Sequence, residues 1–259
     1  LPLAQRFYGD IGQRRIADLD LLVRPREVPE AERLLGKAGF RRTSRLLFGG
    51  TLASRFTPCL EYKKENLGLD LHWQLRSHPS FRVDYDRLWR TSETAAVGDR
   101  AFGVPSAEYE LLTQILSIFT DVQLGTILLK SFVDVHKILE AVEESLDWDR
   151  FFLDRREEGL LRISVNVLDL ALDALDARDR FPRLGSRLAG HASCVRWTRR
   201  EKKMRLLERS KAALRNKSWA FPLYETTPFR TFSWWALSLP FRVAASPTGR
   251  QKWKQRVER

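Results

Sequence analysis

The sequence predicts an α+β fold, with a mixed β-sheet flanked by helices in about the first 100 residues and an all-helical domain after it. Two observations predict it. Residues 17–75 alternate short β-like runs with a single helical stretch, and from about residue 104 onward the apolar residues recur at helical spacing. At 259 residues the chain can bury a core in each part, and its 43% apolar and 30% charged residues, without low-complexity tracts or internal repeats, are those of a globular protein.

The first element is Ala17-Asp18-Leu19-Asp20-Leu21-Leu22-Val23, which reads as a short buried strand interrupted only by two acids. Successive strand side chains alternate faces, so Asp18 and Asp20 point the same way. Ala31, Leu34, Leu35 and Ala38 then form one apolar stripe of a helix that Gly39 can end. Further strands are expected around 40–48, 52–57, 58–63 and 67–75, separated by Gly49-Gly50, Pro58 and a turn at Lys64-Glu65-Asn66. In Leu69-Asp70-Leu71-His72-Trp73 the apolar residues share one face and Asp70 and His72 the other, so Asp70 can approach the Asp18/Asp20 pair from a neighbouring strand.

The helical part is expected to open at Ser106, a candidate cap ahead of Glu108 and Glu110, and to run to about 121. Helices at 126–144, from Asp147 to near Gly159, at 160–176 and at 198–215 follow, with the domain boundary near 95–105. Three segments result: residues 1–100, 101–215 and 216–259. The last interleaves Trp219, Phe221, Tyr224, Phe229, Phe232, Trp234, Trp235, Phe241 and Trp253 with Arg and Lys. Such a tail can lie on a membrane interface, stack on nucleobases or pack over the core.

A formal charge of +12 favours polyanionic partners, among them nucleotides, RNA or an acidic membrane face, without choosing between them or a merely basic surface. The longest apolar stretches, 231–241 and 111–119, fall well short of the roughly 20 residues a bilayer span needs, which excludes a transmembrane helix but not peripheral contact. Cys59 and Cys194 stand far apart without the spacing of a zinc site or disulfide framework, which fits a reducing cytoplasm. Leu1 is not an initiator residue and Met204 is the only methionine, so residues are expected before Leu1.

An Asp-x-Asp on one strand with a third Asp from its neighbour is the arrangement that nucleotidyl transfer needs. Displacing pyrophosphate builds charge on attacking and leaving oxygens, and two divalent ions about 3.5–4 Å apart stabilise it. Mg²⁺ takes hard oxygen ligands, which carboxylates supply. Asp-x-Asp alone is a weak signal, and a structural salt bridge to Arg14 or Arg15 explains the pair as well.

Tyr8-Gly9-Asp10-Ile11-Gly12-Gln13-Arg14-Arg15-Ile16-Ala17-Asp18-Leu19-Asp20-Leu21-Leu22-Val23 resembles the active-site stretch of an uncharacterised bacterial nucleotidyltransferase family within the DNA polymerase beta superfamily. Asp70-Leu71-His72-Trp73 resembles its third-carboxylate strand, and Leu146-Asp147-Trp148-Asp149 a segment of its helical half. The resemblance implies a nucleotidyltransferase-like fold and an enzyme moving a nucleotidyl group from a nucleoside triphosphate, with Mg²⁺ or Mn²⁺, to a small molecule, an RNA or a protein. It implies Asp18, Asp20 and Asp70 as catalytic metal ligands, with Asp70 helping to deprotonate the acceptor. Relatives grip the triphosphate with an upstream strand and Gly-containing turn that precede the residues matched here, so phosphate contacts are not assigned to that turn.

Three further residues are candidates for contact with the bound nucleotide and metal. Arg14 and Arg15 lie close enough to the acids for a guanidinium to meet a phosphate oxygen, while pairing with Asp10 is the structural alternative. His72 shares the face of Asp70 and belongs either at the rim of the site or in a structural hydrogen bond. Lys130 and Asp134, one turn apart, suit a surface ion pair. The competing functional reading is a noncatalytic nucleotide- or RNA-binding scaffold that keeps the fold.

Overall fold

The computed structural model describes residues 2–14, 16, 18–43, 58–78, 80–124, 128–198, 223–226, 233, 234 and 237. The chain forms two compact units, one of Leu1–Arg14 with Ser80–Pro228, the other of Arg15–Pro79 with Phe229–Arg259. In sequence they divide at 14/15, 79/80 and 228/229, the first two upstream of the change in character expected at 95–105.

The second unit holds a four-stranded mixed sheet in the order β1-β4-β3-β2, built from β1 (Asp18–Leu22), β2 (Arg41–Arg42), β3 (Cys59–Lys64) and β4 (Leu67–His72). β4 runs parallel to β1 and antiparallel to β3. A tight turn at Glu65-Asn66 joins β3 to β4, with Glu65 in the left-handed region at φ 51°. One sheet face is apolar: Leu60, Tyr62, Leu69, Leu71 and Trp73 form a core with Leu35, and Leu19, Val23, Val28, Ala31 and Phe40 pack against it. Burying each of the core leucines contributes about 1.5–3 kcal/mol.

That core fixes the helix α2 (Val28–Lys37) to the sheet. Its buried stripe is Val28, Ala31 and Leu35, whereas Leu34, expected on the same stripe, is 52% exposed. The helix ends in a Schellman motif: Phe40 N–H donates to the Leu35 carbonyl at 2.9 Å and Gly39 N–H to Gly36 at 3.0 Å. Gly39 takes φ +85°, Phe40 and Leu35 share the core, and Lys64 Nζ donates to the Ala38 carbonyl at 2.9 Å. The strands expected around 44–57 lie outside the described residues.

The first unit is mainly helical. It contains α1 (Pro2–Tyr8), α3 (Tyr85–Arg90), a hairpin of β5 (Glu93–Val97) and β6 (Arg100–Val104), α4 (Ala107–Leu124), α5 (Leu129–Val142), α6 (Trp148–Glu157), α7 (Leu161–Ala174) and α8 (Pro182–Gly190). α7 is buried almost all round, which makes it the central helix. Buried Asn166 on α7 is fully used: Nδ2 donates to the Arg162 and Cys194 carbonyls, and Oδ1 accepts from Arg196 and Trp197 N–H, anchoring the segment after α8. Asp147 caps α6 as expected, accepting from Arg150 N–H at 2.9 Å. Ser106 does not cap α4 through its side chain, because its hydroxyl is buried without a hydrogen-bond partner; its carbonyl accepts from Glu110 N–H instead. The helix expected at 198–215 lies outside the described residues, as does most of the aromatic tail. Of that tail, Leu223 is fully buried, and Tyr224 stacks on Phe81 and receives a hydrogen bond from Gln123.

Residues 1–14 are sewn into this helical unit by buried charge. Asp134 on α5 is 1% exposed, not a surface partner of Lys130. It accepts from Tyr8 Oη at 2.7 Å and from Arg14 Nε and Nη2 at 2.8 and 3.0 Å. The bidentate fork matches the carboxylate geometry, and the Tyr8 hydroxyl completes it. Arg14→Ala leaves a buried carboxylate without its cation, so the variant should lose about 3–5 kcal/mol of unfolding free energy in urea titration. Asp134→Ala should cost less, since Arg14 is 15% exposed and can reach water whereas Asp134 cannot.

Candidate functional site

The face of the sheet opposite the apolar core carries the acids. Pairing of β1 with β4 sets Asp18 beside Gly68, Asp20 beside Asp70 and Leu22 beside His72. Pairing of β4 with β3 sets Asp70 beside Glu61 and His72 beside Cys59. Pleating gives every one of these residues the same side of the sheet, since all alternate with Leu19, Leu60, Leu69 and Leu71 of the core. Three rows result: Asp18 with Gly68 and Lys63, Asp20 with Asp70 and Glu61, and Leu22 with His72 and Cys59.

The expected buried strand is corrected in one respect. β1 is the edge of the described sheet, and Asp18, Asp20 and Leu21 are exposed. The Asp20 side chain keeps 71% exposure. Asp70, on an interior strand, is half-buried.

Electrostatics follow from that placement. The Asp70 carboxyl is held above the ordinary carboxylate range first by burial, with His72 pulling down and the charges of Asp20 and Asp18 pushing up. Glu61 is raised by burial and by Asp70. The Cys59 thiol is pushed up to about 12 by burial, then by Asp70 and Glu61, against the pull of Arg76. His72 Nε2 lies 3.0 Å from Asp20 Oδ1, so the ring holds that carboxylate in place. Ligating atoms of Cys59, Asp70 and His72 all lie within 4.8 Å of one another.

The register therefore places Asp18, Asp20, Asp70 and His72, of the residues selected from the sequence, on one face of the sheet. Arg14 is not among them: its guanidinium is committed to Asp134, which displaces both the phosphate contact and the pairing with Asp10. Asp10 instead accepts from Gly12 N–H at 2.8 Å, capping a short turn. Arg15 lies outside the described residues. Cys59 and Glu61 were missed, although the signal was present. A hairpin centred on Glu65-Asn66 maps Asp70 onto Glu61 and His72 onto Cys59, and Cys59-Leu60-Glu61-Tyr62 alternates as such a partner must.

Chemically, the face offers several hard carboxylate oxygens around a site open to solvent at Asp20, next to one thiol and one imidazole. Beside Asp18 stands Gly68, which places no side chain there; a Cβ at that position would meet Asp18 Cβ at 3.6 Å. No helix among the described residues is long and apolar enough to cross a membrane.

A family described as an uncharacterised nucleotidyltransferase matches residues 1–176, about two thirds of the chain. The match spans the whole acidic face and the helical unit as far as α7. The mixed sheet with a helical C-terminal part agrees with a nucleotidyltransferase-like fold. No curated protein matches the chain.

Since the folded chain holds the Asp70 proton more tightly than the unfolded chain, folding stability falls as pH rises from the ordinary carboxylate pKa through the raised one. Asp70→Asn should remove that slope and melt a few degrees above the native chain at neutral pH in EDTA, as followed by circular dichroism.

Proposed function

The chain belongs to the uncharacterised nucleotidyltransferase family, and on that premise we propose that its acidic sheet face transfers a nucleotidyl group from a nucleoside triphosphate to an acceptor nucleophile of a small molecule, an RNA or a protein. The observation that carries the reading is the register that sets Asp20 beside Asp70, with Asp18 two residues away on the same face.

The donor set fits the cations such chemistry uses. Asp18, Asp20 and Asp70 offer carboxylate oxygens, which Mg²⁺ and Mn²⁺ prefer, and positive charge would relieve the repulsion from Asp20 and Asp18 that adds to burial in raising Asp70. Those three side chains would hold the ions, which when bound stabilise charge on the reacting phosphoryl oxygens. Asp70, the third acid of the set, helps take the proton of the acceptor as that group attacks the α-phosphorus. The α–β bridging bond breaks and pyrophosphate leaves. His72 keeps the Asp20 carboxylate oriented through its 3.0 Å contact. Gly68 leaves room beside Asp18 for the nucleotide. Arg15, three residues before Asp18, is proposed to meet a phosphate oxygen; the +12 net charge suits both triphosphate and RNA.

Two measurements test this. Mn²⁺-dependent binding of a fluorescent ATP analogue should vanish in Asp18→Asn and Asp20→Asn, and unchanged binding in both variants rejects the ligand assignment. Label from an α-labelled nucleoside triphosphate should enter an acceptor pool of small molecules, bulk tRNA or protein, and each Asp→Asn change should slow this about a thousand-fold, the loss of several kcal/mol of charge stabilisation. Metal-dependent binding with no transfer from any of the four nucleotides would instead identify a noncatalytic nucleotide-binding scaffold.

A further inference from the structure

The acidic face carries two chemistries side by side. One is the oxygen-only set of Asp18, Asp20 and Asp70. The other is a sulfur, a nitrogen and an oxygen converging from Cys59, His72 and Asp70, and these overlap the first set at a single carboxylate.

We infer that Cys59, His72 and Asp70 form a site for a thiophilic divalent cation such as Zn²⁺, which competes with Mg²⁺ for Asp70 and so switches the acidic face off. The geometry is that of the sheet itself. Cys59 and His72 face each other across the antiparallel β3–β4 pair, and Asp70 follows His72 on the same strand at the same-face interval of two. Their ligating atoms lie within 4.8 Å of one another. Tetrahedral zinc with sulfur, nitrogen and oxygen ligands sets these separations at about 3.3–3.6 Å, so small side-chain rotations close the site without moving a strand. Thiolate, imidazole and carboxylate select Zn²⁺ over Mg²⁺, which has no use for sulfur or nitrogen. Asp20 Oδ1 lies 3.0 Å from Nε2, so the cation would take Nδ1, with Asp20 orienting the ring as the outer-shell partner of a ligating histidine. On binding, the Cys59 S–H bond breaks, its proton leaves to solvent, and the sulfur lone pair forms the bond to the cation. The ion's double charge offsets the surrounding carboxylates that oppose thiolate formation in its absence. Three protein ligands leave the fourth position to water.

The binding site stands on these three side chains; its effect on turnover rests on the function proposed above. The experiment separates the two. Full-length protein is titrated with Co²⁺ in excess Mg²⁺, and the near-ultraviolet thiolate-to-cobalt charge-transfer band is followed, then bleached with Zn²⁺. One equivalent should bind with that band. Cys59→Ala should abolish the band, and His72→Gln should weaken binding by at least the roughly 10–100-fold that loss of an outer-shell partner costs. Asp18→Asn, outside the triad, should keep the band. A band that persists in Cys59→Ala, or no band in the native chain, overturns the site whatever the activity. In parallel, low Zn²⁺ should abolish Mn²⁺-dependent binding of the fluorescent nucleotide by the native chain, while Cys59→Ala, which keeps that binding, should resist. If the cobalt band behaves as stated but the native chain binds no nucleotide under any condition, the metal site stands and the transferase reading fails. If nucleotide binding is normal and equally insensitive to Zn²⁺ in both proteins, the switch is overturned.

Discussion

The register of the β3–β4 hairpin is the constraint on which the rest of this site depends. Shifting that pairing by one residue would turn Asp70 and His72 into the apolar layer and expose Leu69 and Leu71. The shift is opposed by five large core side chains on β3, β4 and the residue after β4, and by a two-residue turn whose Glu65 already occupies a left-handed conformation. Parallel pairing then hands the same register to β1. The polar face thus inherits its arrangement from apolar packing on the other side of the sheet. No interaction among the acids is needed to assemble it, and the one interaction they do have, repulsion, works against assembly.

That opposition separates the two units in kind. In the helical unit, the buried charge is matched: Asp134 meets a guanidinium and a phenol, and Glu143 accepts from the backbone N–H groups of Arg183 and Leu184 at the start of α8. Asp134 is thereby neutralised, while Glu143 is held by Oε1 alone, its Oε2 being buried without a hydrogen-bond partner. On the acidic sheet face, Asp70 and Glu61 face each other across strands; burial raises both, Asp70 further by the charges of Asp20 and Asp18 and Glu61 further by that of Asp70. A protein can hold such a pair only where packing elsewhere offsets it, and here the apolar core beneath the same strands does so.

Much of this was legible in the sequence, for reasons that can be named residue by residue. The alternation around Asp70 gave its face because period two is a property of the strand alone. Asp147 and Gly39 gave helix ends because capping chemistry is local. What failed was what depends on neighbours. That β1 is the edge of the described sheet cannot be read from its own apolar residues, which suit a buried strand equally well. Arg14 and Asp134 are 120 residues apart, so local spacing suggested Asp10 for the first and Lys130 for the second. The β5–β6 hairpin and α1, α3 and α8 are short, and short elements leave little periodicity to read.

Acids on an edge strand have a simpler explanation than catalysis: charge along an exposed edge discourages pairing with another chain. That explanation accounts for Asp18 and Asp20 taken alone. It does not account for Asp70, which sits on an interior strand with partners on both sides and gives no protection to an edge. Nor does it account for placing an acid beside Asp20 and Glu61 rather than at position 72, beside Leu22 and Cys59, where the repulsion would be weaker. A carboxylate half-buried among like charges is costly to retain for solubility. It suits the cation-binding role proposed for this face, because carboxylates that repel one another gain when positive charge arrives.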